Sequence, residues 1–297
     1  MKDLLVYSWS TRKENPGGHE TGYEYLKQHF NVVTISPNDK PVIIKDAGCP
    51  MDVNPKVDGN ILYASDLNSI GDAGVCDISY WGNPFALLFE KGLGDCYKRM
   101  SEDRLNDGDC FKIANSNLMA HDMNLIGLKP DVIIPNGVDM EFFYQYLQIT
   151  DKKIGLFVGS KNEVKNWSMI KRLMKEFPDI HWSIVTKDMN LSKEKMREVY
   201  NTASFFILTS PVEGCSNAIF EAMACDLPCI VSKTGYFWDF WDDRVGIRVD
   251  SDDFQQHCDA VKNILKIKTS PRQVLIEQKL DLKTWVKRWG EVIDRFK

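Results

Sequence analysis

Residues 210–232 read SPVEGCSNAIFEAMACDLPCIVS and decide the fold prediction. Their pattern is that of a strand end, a polar turn, a short helix and a second buried strand. Glu213 and Glu221 stand eight positions apart. Eight helical residues rise roughly 12 Å and separate two side chains by about 80° around the axis, so both carboxylates would not share one helix face. Glu213 is therefore expected in the turn, before the helix that carries Glu221.

A helix start is predicted directly after Glu213. Gly214 and Cys215 lead into Ser216 and Asn217, which are both good N-terminal caps. Free backbone N–H groups and the positive end of the helix dipole would then lie beside Glu213, and this combination favours an anion. One carboxylate before such a start and a second along the helix suit a ligand with hydroxyls at both ends and phosphate between them. A nucleotide sugar has this chemistry.

Short apolar runs alternate with helical stretches on both sides of this motif. The strand-like runs are residues 4–7, 32–35, 111–114, 131–134, 154–159, 181–186 and 204–209. The helix-like stretches are residues 20–29, 117–125, 167–177, 192–200, 252–265, 273–278 and 282–296. The alternation predicts an α/β fold of two doubly wound, Rossmann-like parallel-sheet domains that face each other across a cleft. The pattern restarts near residue 150, which divides the chain into residues 1–148 and 149–297, with the last helix able to pack back on the first domain.

Ligands of doubly wound sheets bind beyond the carboxyl ends of the strands. Gly17 and Gly18, residues 159–165, and Glu213 all fall at such ends. An aromatic cluster at residues 236–242 follows another strand end. Its rings either line the ligand site and stack on a sugar or base, or pack internally. Trp285 and Trp289 stand four apart, which is typical of a packing stripe on a helix.

Composition excludes several classes of function. The chain has 297 residues, 43% of them hydrophobic and 27% charged, with a formal net charge of −5. Nothing in this balance favours nucleic acid or an anionic membrane as the main partner. Its eight cysteines form no Cys-x-x-Cys pair, so reduced thiols are expected rather than zinc or disulfides. No run approaches the ~18 apolar residues of a membrane span and no signal peptide is apparent, so we expect a soluble, cytoplasmic protein without stable membrane insertion.

The chain resembles the retaining glycosyltransferases of the two-domain GT-B fold, in particular the large group called family 4. Glu213 and Glu221 look like the Glu-x7-Glu motif of that family. Residues 16–20, PGGHE, are similar to its amino-terminal Gly-Gly loop, and residues 132–139, VIIPNGVD, are similar to its interdomain segment. The resemblance covers nearly the whole chain. It implies an acceptor-side first domain and a donor-binding second domain.

The resemblance also implies roles for individual residues. Glu213 and Lys165 would be catalytic, the first contacting donor-sugar hydroxyls near the reacting carbon and the second acting as the phosphate-binding lysine. Glu221 would accept hydrogen bonds from the ribose. The other donor-binding positions would be Gly17, Gly18, Gly159, Lys161, Gly214, Cys215, Ser216 and Asn217. Ser160 stands where the family usually has arginine, so either Lys161 takes over the second positive charge or the diphosphate is held less tightly.

The activity that the resemblance implies is transfer of a hexose from a nucleotide-diphosphate sugar to an acceptor hydroxyl, with retention of anomeric configuration. A UDP-sugar is favoured over a GDP-sugar as donor, with no cofactor and no bound metal. The acceptor is a glycan, a lipid-linked sugar or a protein, with modified DNA ranked last. Two alternatives stay open. One is a nucleotide-sugar epimerase or hydrolase on the same fold, and the other is a non-catalytic nucleotide-sugar-binding protein, to which Ser160 points.

Overall fold

The computed structural model describes residues 4–7, 25–30, 32–35, 61–64, 78–81, 111–125, 129–147 and 153–296. By contact, the chain divides into two compact units: Met1–Pro135 together with Trp285–Lys297, and Asn136–Thr284. Each unit is built around one parallel sheet. The predicted boundary between residues 148 and 149 lies outside the described residues.

Among the described residues, the first unit contributes a sheet of six short strands. They are β1 Leu4–Tyr7, β2 Val32–Ile35, β3 Ile61–Ala64, β4 Ile78–Trp81, β5 Phe111–Ala114 and β6 Val132–Ile133. All pairs are parallel, in the order β2-β1-β3-β4-β5-β6. Residues 25–29 are helical. Helix α1, Asn117–Leu125, follows β5 and begins where the Ser116 hydroxyl accepts a hydrogen bond from the Met119 N–H at 3.1 Å.

The second unit contains a five-stranded sheet in its described part. Its strands are β7 Ile154–Val158, β8 His181–Val185, β9 Phe205–Leu208, β10 Cys229–Ser232 and β11 Gly246–Val249. Its helices are α2 Trp167–Glu176, α3 Lys193–Thr202, α4 Asn217–Ala224, α5 Phe254–Asn263 and α6 Pro271–Glu277. The strands are all parallel in the order β11-β10-β9-β7-β8, which is a doubly wound sheet with its topological switch point between β7 and β9.

Apolar residues on both faces of this sheet explain the three-layer packing. Successive residues of a strand point to opposite faces. In β9, Phe206 and Leu208 belong to a core cluster with residues of α3, α4 and α6, whereas Phe205 and Ile207 belong to a second cluster with residues of α2 and α5. All four side chains are buried. A continuous apolar run is what a strand covered by helices on both faces requires.

Helix α7, Leu282–Ile293, ends the chain with a short 3-10 turn, and its residues from Trp285 onward belong to the first unit. The rings of Trp285 and Trp289 are buried, with centroids 5.7 Å apart. Trp285 also meets the ring of Tyr25 edge-on at 6.4 Å. The predicted packing stripe is confirmed.

The predicted α/β fold with parallel sheets is confirmed. β11 is a strand that the apolar runs did not predict, because Arg248 interrupts its short pattern and Gly246 begins it. Gly246 has φ +145°, and a Cβ there would lie 2.0 Å from the Cys229 carbonyl oxygen. Only glycine allows this close approach of two strands. In the described part of the chain no helix is long and apolar enough to cross a membrane.

Candidate functional site

Three loops of the second unit leave the carboxyl ends of adjacent strands near the switch point. The loop after β7 carries Gly159 and Lys165, the loop after β9 carries Glu213, and the loop after β10 carries Thr234 and Gly235. Parallel strands present their carboxyl ends on one edge of the sheet, so these loops meet there. Hydrogen bonds between the loops, described below, show that they do.

Lys165 and Glu213 form an ion pair at this edge. The Lys165 backbone is fixed from two sides: its N–H donates to the Asn162 side chain at 3.1 Å, and its carbonyl accepts from the Thr209 hydroxyl at 2.9 Å. The first bond closes a 3-10 turn at Glu163–Lys165, and the second ties that turn to the end of β9. The lysine side chain keeps 29% of its surface exposed, so the ammonium is anchored yet open to a ligand.

Glu213 is held more tightly than a surface carboxylate. Its side chain is 12% exposed, and the oxygen that contacts Lys165 also accepts a hydrogen bond from the Ser210 hydroxyl at 2.7 Å. The Glu213 N–H donates to the Thr234 hydroxyl at 2.9 Å, which fixes the backbone from the next loop. The three contacts set the carboxylate in place before any ligand arrives, which lowers the reorganisation that binding requires.

Gly235 permits the close contact between the loops after β9 and β10. Its φ is +56°, and a Cβ at this position would lie 2.6 Å from the Gly214 carbonyl oxygen and 3.2 Å from the Glu213 Cβ. An L side chain would meet both backbone strain and a clash. Gly235 therefore lets the loop after β10 pack directly against the loop after β9, which carries Glu213.

Helix α4 begins at Asn217 with Ser216 as its cap residue, as predicted, and Glu213 lies in the preceding turn. The Ser216 side chain makes no capping hydrogen bond, which leaves the first N–H groups of the helix to other partners. Asn136 supports the turn: its amide donates to the Cys215 carbonyl at 2.6 Å and to the Asn217 side-chain oxygen at 2.7 Å. The helix start thus has the character of an anion site.

Glu221 lies in the middle of α4, and its carboxylate contacts different residues from those that contact Glu213. One oxygen, Oε2, accepts a hydrogen bond from the Tyr200 hydroxyl of α3 at 2.8 Å. Burial raises the pKa of Glu221 to about 7, while the Tyr200 hydrogen bond and the charge of Lys193 oppose that rise. Burial also raises the pKa of Tyr200 well above its usual value, so the phenol keeps its proton and is the donor.

Cys215 is buried and stays a thiol. Burial raises its pKa to about 12, and the neighbouring Glu213 carboxylate adds to this effect. Its sulfur accepts a hydrogen bond from the Asn136 N–H at 3.4 Å. Because the thiolate is the nucleophilic form, a thiol in this environment packs and supports the turn rather than attacking a substrate.

The remaining predicted positions behave differently from one another. Gly159 is partly buried, and its N–H donates to the Val185 carbonyl at 2.9 Å. Ser160 and Lys161 are exposed, and the Lys161 ammonium lies over the Trp167 ring, 5.5 Å from its centroid. Gly17 and Gly18 lie outside the described residues.

The aromatic cluster at residues 236–242 packs internally at the positions with described ring contacts. Phe237 is 1% exposed and meets Phe220 of α4 at 6.3 Å. Tyr236 meets the same ring at 5.5 Å, and Phe240 and Trp241 lie against Phe237. Of the two alternatives for these rings, the structure favours packing under α4.

Four side chains that support the site were not assigned roles from the sequence: Asn136, Tyr200, Ser210 and Thr234. Ser210 and Thr234 each stand two residues after the end of a buried strand, a signal that could have placed them at the ligand edge. Asn136 and Tyr200 reach their partners through tertiary packing across 79 and 21 residues, respectively. No local pattern marks such pairings.

The assembled groups define what the edge can bind. An ammonium, a fixed carboxylate and the start of α4 lie around the ends of β7 and β9, with a second carboxylate further along the helix. The cation and the helix start favour phosphate oxygens, and the carboxylates accept hydroxyl groups. Within the described residues no group of three or more His, Cys, Asp or Glu side chains is arranged to hold a metal ion.

Residues 156–266, which contain Lys165, Glu213 and Glu221, match the protein family described as Glycosyl transferases group 1. No curated protein sequence matches the chain significantly.

Several solved structures share the fold along the whole chain. Sucrose-phosphate synthase from Thermosynechococcus elongatus aligns with a TM-score of 0.78 at 14% identity, covering 99% of each chain. HepE from Anabaena, solved in complex with UDP, aligns with a TM-score of 0.69 at 14% identity, covering 99% of this chain and 100% of HepE. The apo form of the lipopolysaccharide outer core galactosyltransferase WaaB aligns at 0.59 and 13% identity, covering 99% of each chain. At these identities the likeness shows the fold alone, an α/β fold with parallel sheets that these glycosyltransferase structures share.

Proposed function

We propose that the protein is a glycosyltransferase that moves a hexose from a nucleotide-diphosphate sugar to an acceptor hydroxyl, with retention of anomeric configuration. The observation that carries the proposal is the Lys165–Glu213 pair at the carboxyl ends of β7 and β9, beside the start of α4. The family match over residues 156–266 supports glycosyl transfer as the general activity.

The leaving group explains why a cation belongs at this edge. When the bond between the sugar and the phosphate breaks, negative charge grows on the diphosphate, and a fixed positive group stabilises that charge in the transition state. Lys165 supplies an ammonium whose backbone is tied to β9 by Thr209. The N–H groups at Cys215, Ser216 and Asn217 add partial positive charge, and we assign the second formal charge to Lys161.

The two carboxylates would recognise the two ends of the donor. Glu213 accepts hydrogen bonds from hydroxyls of the hexose near the reacting carbon, and Glu221 accepts them from the ribose. Gly214 and Gly159 let the backbone come close to the diphosphate, and Gly17 and Gly18 are proposed as further donor-binding positions. When the donor enters, Lys165 is shared between Glu213 and the phosphate oxygens, so the existing ion pair holds the ammonium ready.

UDP-sugars are proposed as donors ahead of GDP-sugars, since HepE was solved with UDP and with UDP-glucose. The acceptor is proposed to be a glycan, a lipid-linked sugar or a protein. Modified DNA ranks last because the net charge is −5. We further propose that the enzyme works in the cytoplasm without a bound metal.

The test combines binding, turnover and two variants. UDP- and GDP-sugars are screened for thermal stabilisation, and the donor that raises the melting temperature is then assayed for transfer to oligosaccharide and lipid-linked acceptors. Lys165→Ala and Glu213→Gln should each reduce transfer by about 10²–10³-fold. Lys195→Ala is the matched control, since it removes an exposed lysine that is ion-paired to Glu198 on α3.

Each outcome identifies one function. Transfer that is near normal in both site variants would exclude the proposed mechanism. Free sugar formed without an acceptor would indicate a hydrolase, and an altered sugar configuration would indicate an epimerase. Donor binding without turnover on any acceptor would indicate a binding protein, in which Ser160 in place of arginine leaves the diphosphate too weakly held for reaction.

A further inference from the structure

The Tyr200 hydroxyl is placed against Glu221 by buried packing on α3. The tyrosine side chain is 1% exposed, and its ring meets Phe143 edge-on at 6.0 Å and Phe206 at 6.4 Å. These contacts leave the ring little freedom, and the hydroxyl donates to Glu221 Oε2 at 2.8 Å. The packing of the Tyr200 ring thus fixes its O–H group against one oxygen of the Glu221 carboxylate.

The rest of the Glu221 surroundings do not duplicate this contact. Among the described residues, Tyr200 is the only hydrogen-bond partner of the carboxylate. The neighbouring ionisable groups act through charge alone: Lys193 on α3 affects Glu221 directly. Glu221 also interacts through its charge with the thiol of Cys225, which follows α4, and Arg197 on α3 and Arg272 on α6 act through their charges on that thiol. Cys225 and Cys229 on β10 act in the same way on Tyr200. Orientation of the carboxylate therefore depends on Tyr200.

A carboxylate held at one oxygen presents the other oxygen in a defined direction. Each carboxylate oxygen can accept more than one hydrogen bond, so a second oxygen can serve two adjacent hydroxyls. The ribose of a nucleotide has two adjacent hydroxyls. Without the tyrosine O–H the carboxylate could rotate about its terminal bond, and it would also gain a proton more readily in its buried setting. A protonated carboxyl is a poorer acceptor.

We propose that Tyr200 is a positioning residue for donor recognition, which holds Glu221 so that the site discriminates in favour of a nucleoside diphosphate with an intact ribose. The proposal rests on the proposed function, since it takes Glu221 as the ribose contact. Tyr200 itself touches no substrate in this scheme. It acts through the carboxylate, so its loss changes the selectivity for ribose more than it changes the fold.

The competing explanation is that Tyr200 only satisfies a buried carboxyl group. On that account its removal lowers stability and weakens all ligands in the same proportion. The two explanations differ in one measurable ratio, the affinity for UDP over the affinity for 2′,3′-dideoxy-UDP. A positioning role changes the ratio, whereas a purely structural role leaves it unchanged.

The experiment measures both affinities by calorimetry for the wild-type chain and for Tyr200→Phe, which removes only the hydroxyl. Hydrogen bonds to a charged group correspond to about 10–100-fold in affinity, so the wild-type ratio should fall in that range. In Tyr200→Phe we expect the ratio of UDP affinity to dideoxy-UDP affinity to fall at least ~3-fold. The affinity for UDP should decrease, whereas the affinity for dideoxy-UDP should stay the same. Tyr144→Phe removes the same atom from a 40% exposed ring outside the site and should keep the wild-type ratio.

The pH dependence provides a second readout. The Tyr200 hydrogen bond lowers the pKa of Glu221, so Tyr200→Phe should move the midpoint at which UDP affinity is lost to higher pH. If Tyr200→Phe does not fold, 3-fluorotyrosine placed at position 200 keeps the ring and strengthens the O–H donor. That replacement should raise the ratio and move the midpoint to lower pH.

The outcomes separate this inference from the proposed function. Failure of the wild-type chain to bind either UDP or GDP would overturn the proposed function, and with it the ribose assignment. UDP binding with the same ribose ratio in Tyr200→Phe, or in the 3-fluorotyrosine protein, would overturn the positioning role alone, whatever the pH midpoint does. A reduced ratio with a raised midpoint in Tyr200→Phe would support it.

Discussion

Glu221 makes folding stability depend on pH in a direction opposite to that of most carboxylates. Its folded-state pKa of about 7 lies above the ordinary value of 4.5, so the folded chain holds a proton that the unfolded chain has lost between these two pH values. Stability that is present below pH 4.5 is therefore lost as the pH rises toward 7.

Glu221→Gln keeps the acceptor for Tyr200 without the charge. We expect it to gain up to about 3 kcal/mol over wild type at pH 8 and much less at pH 4.5, measured by urea unfolding at each pH. Equal differences at the two pH values would contradict the raised pKa.

Gly235 should be the glycine of the site that is least tolerant of substitution. With φ +56° and a prospective Cβ 2.6 Å from the Gly214 oxygen, Gly235→Ala is expected to cost ~1–3 kcal/mol of stability and to displace the Glu213 loop. Donor affinity should fall with it. The control is Gly290→Ala on α7, where a Cβ would meet only Phe30 at 3.8 Å; helix propensity there should add ~0.5–1 kcal/mol. Thermal unfolding and calorimetry measure both quantities, and a neutral Gly235→Ala would contradict the close approach.

At the scale of elements, Arg272 joins α6, α4 and the segment before β7 by donating to three backbone carbonyls. Its guanidinium reaches Phe143 at 2.8 Å, Ala224 at 2.5 Å and Met140 at 2.8 Å. Ala224 ends α4, so the arginine also satisfies a carbonyl that the helix cannot pair itself. Arg272→Met should cost ~2–4 kcal/mol because three partly buried acceptors lose their donor.

The control for this change is Arg295→Met, which removes an exposed guanidinium lying over the Phe111 ring and should alter stability by about 0.5 kcal/mol or less. Urea unfolding measures both variants. If Arg272→Met and Arg295→Met are equally stable, the three backbone contacts contribute nothing beyond solvation, and α4 does not depend on α6 for its position.

An element could be predicted from the sequence when local residues determine it, and could not when it depends on tertiary contacts. β9 and α4 are encoded locally, by a four-residue apolar run and by a cap before a helical pattern, and both appear where the sequence places them. β11 depends on a close approach to Cys229 that only the folded sheet shows. The sequence brought Lys165 and Glu213 to one edge through strand order, but their pairing across 48 residues required the loops to be built. The Tyr200–Glu221 contact has no local signature, because it depends on how α3 packs on α4.

At the scale of the whole molecule, the position of the switch point explains why the functional groups gather where they do. β7 leads to β8 on one side and β9 lies on the other, and ligands of doubly wound sheets bind beyond the strand ends at such a switch point. Lys165 and Glu213 come from the loops after β7 and β9 and form an ion pair at this point. The strand order therefore explains why Lys165 and Glu213 lie close together. Hydrogen bonds with Thr209, Ser210 and Thr234 then set how these two residues are oriented.

Donor binding should therefore leave a defined footprint along the full chain in hydrogen–deuterium exchange. With UDP at about 100 times its dissociation constant, exchange should slow by up to ~100-fold at residues 159–166 and 209–217, because opening these loops would then require release of the ligand. Residues 178–180 and 226–228 precede β8 and β10 at the opposite edge of the same sheet, and their exchange should not change.

Exchange in peptides that contain Gly17 and Gly18 should slow together with exchange in residues 209–217, since both segments are proposed to hold the diphosphate. Protection of the second unit alone would remove Gly17 and Gly18 from the donor site while keeping Lys165 and Glu213 in it. Equal protection at both edges of the sheet would mean that UDP stabilises the unit globally, and the ligand would then have to be sought away from the switch point.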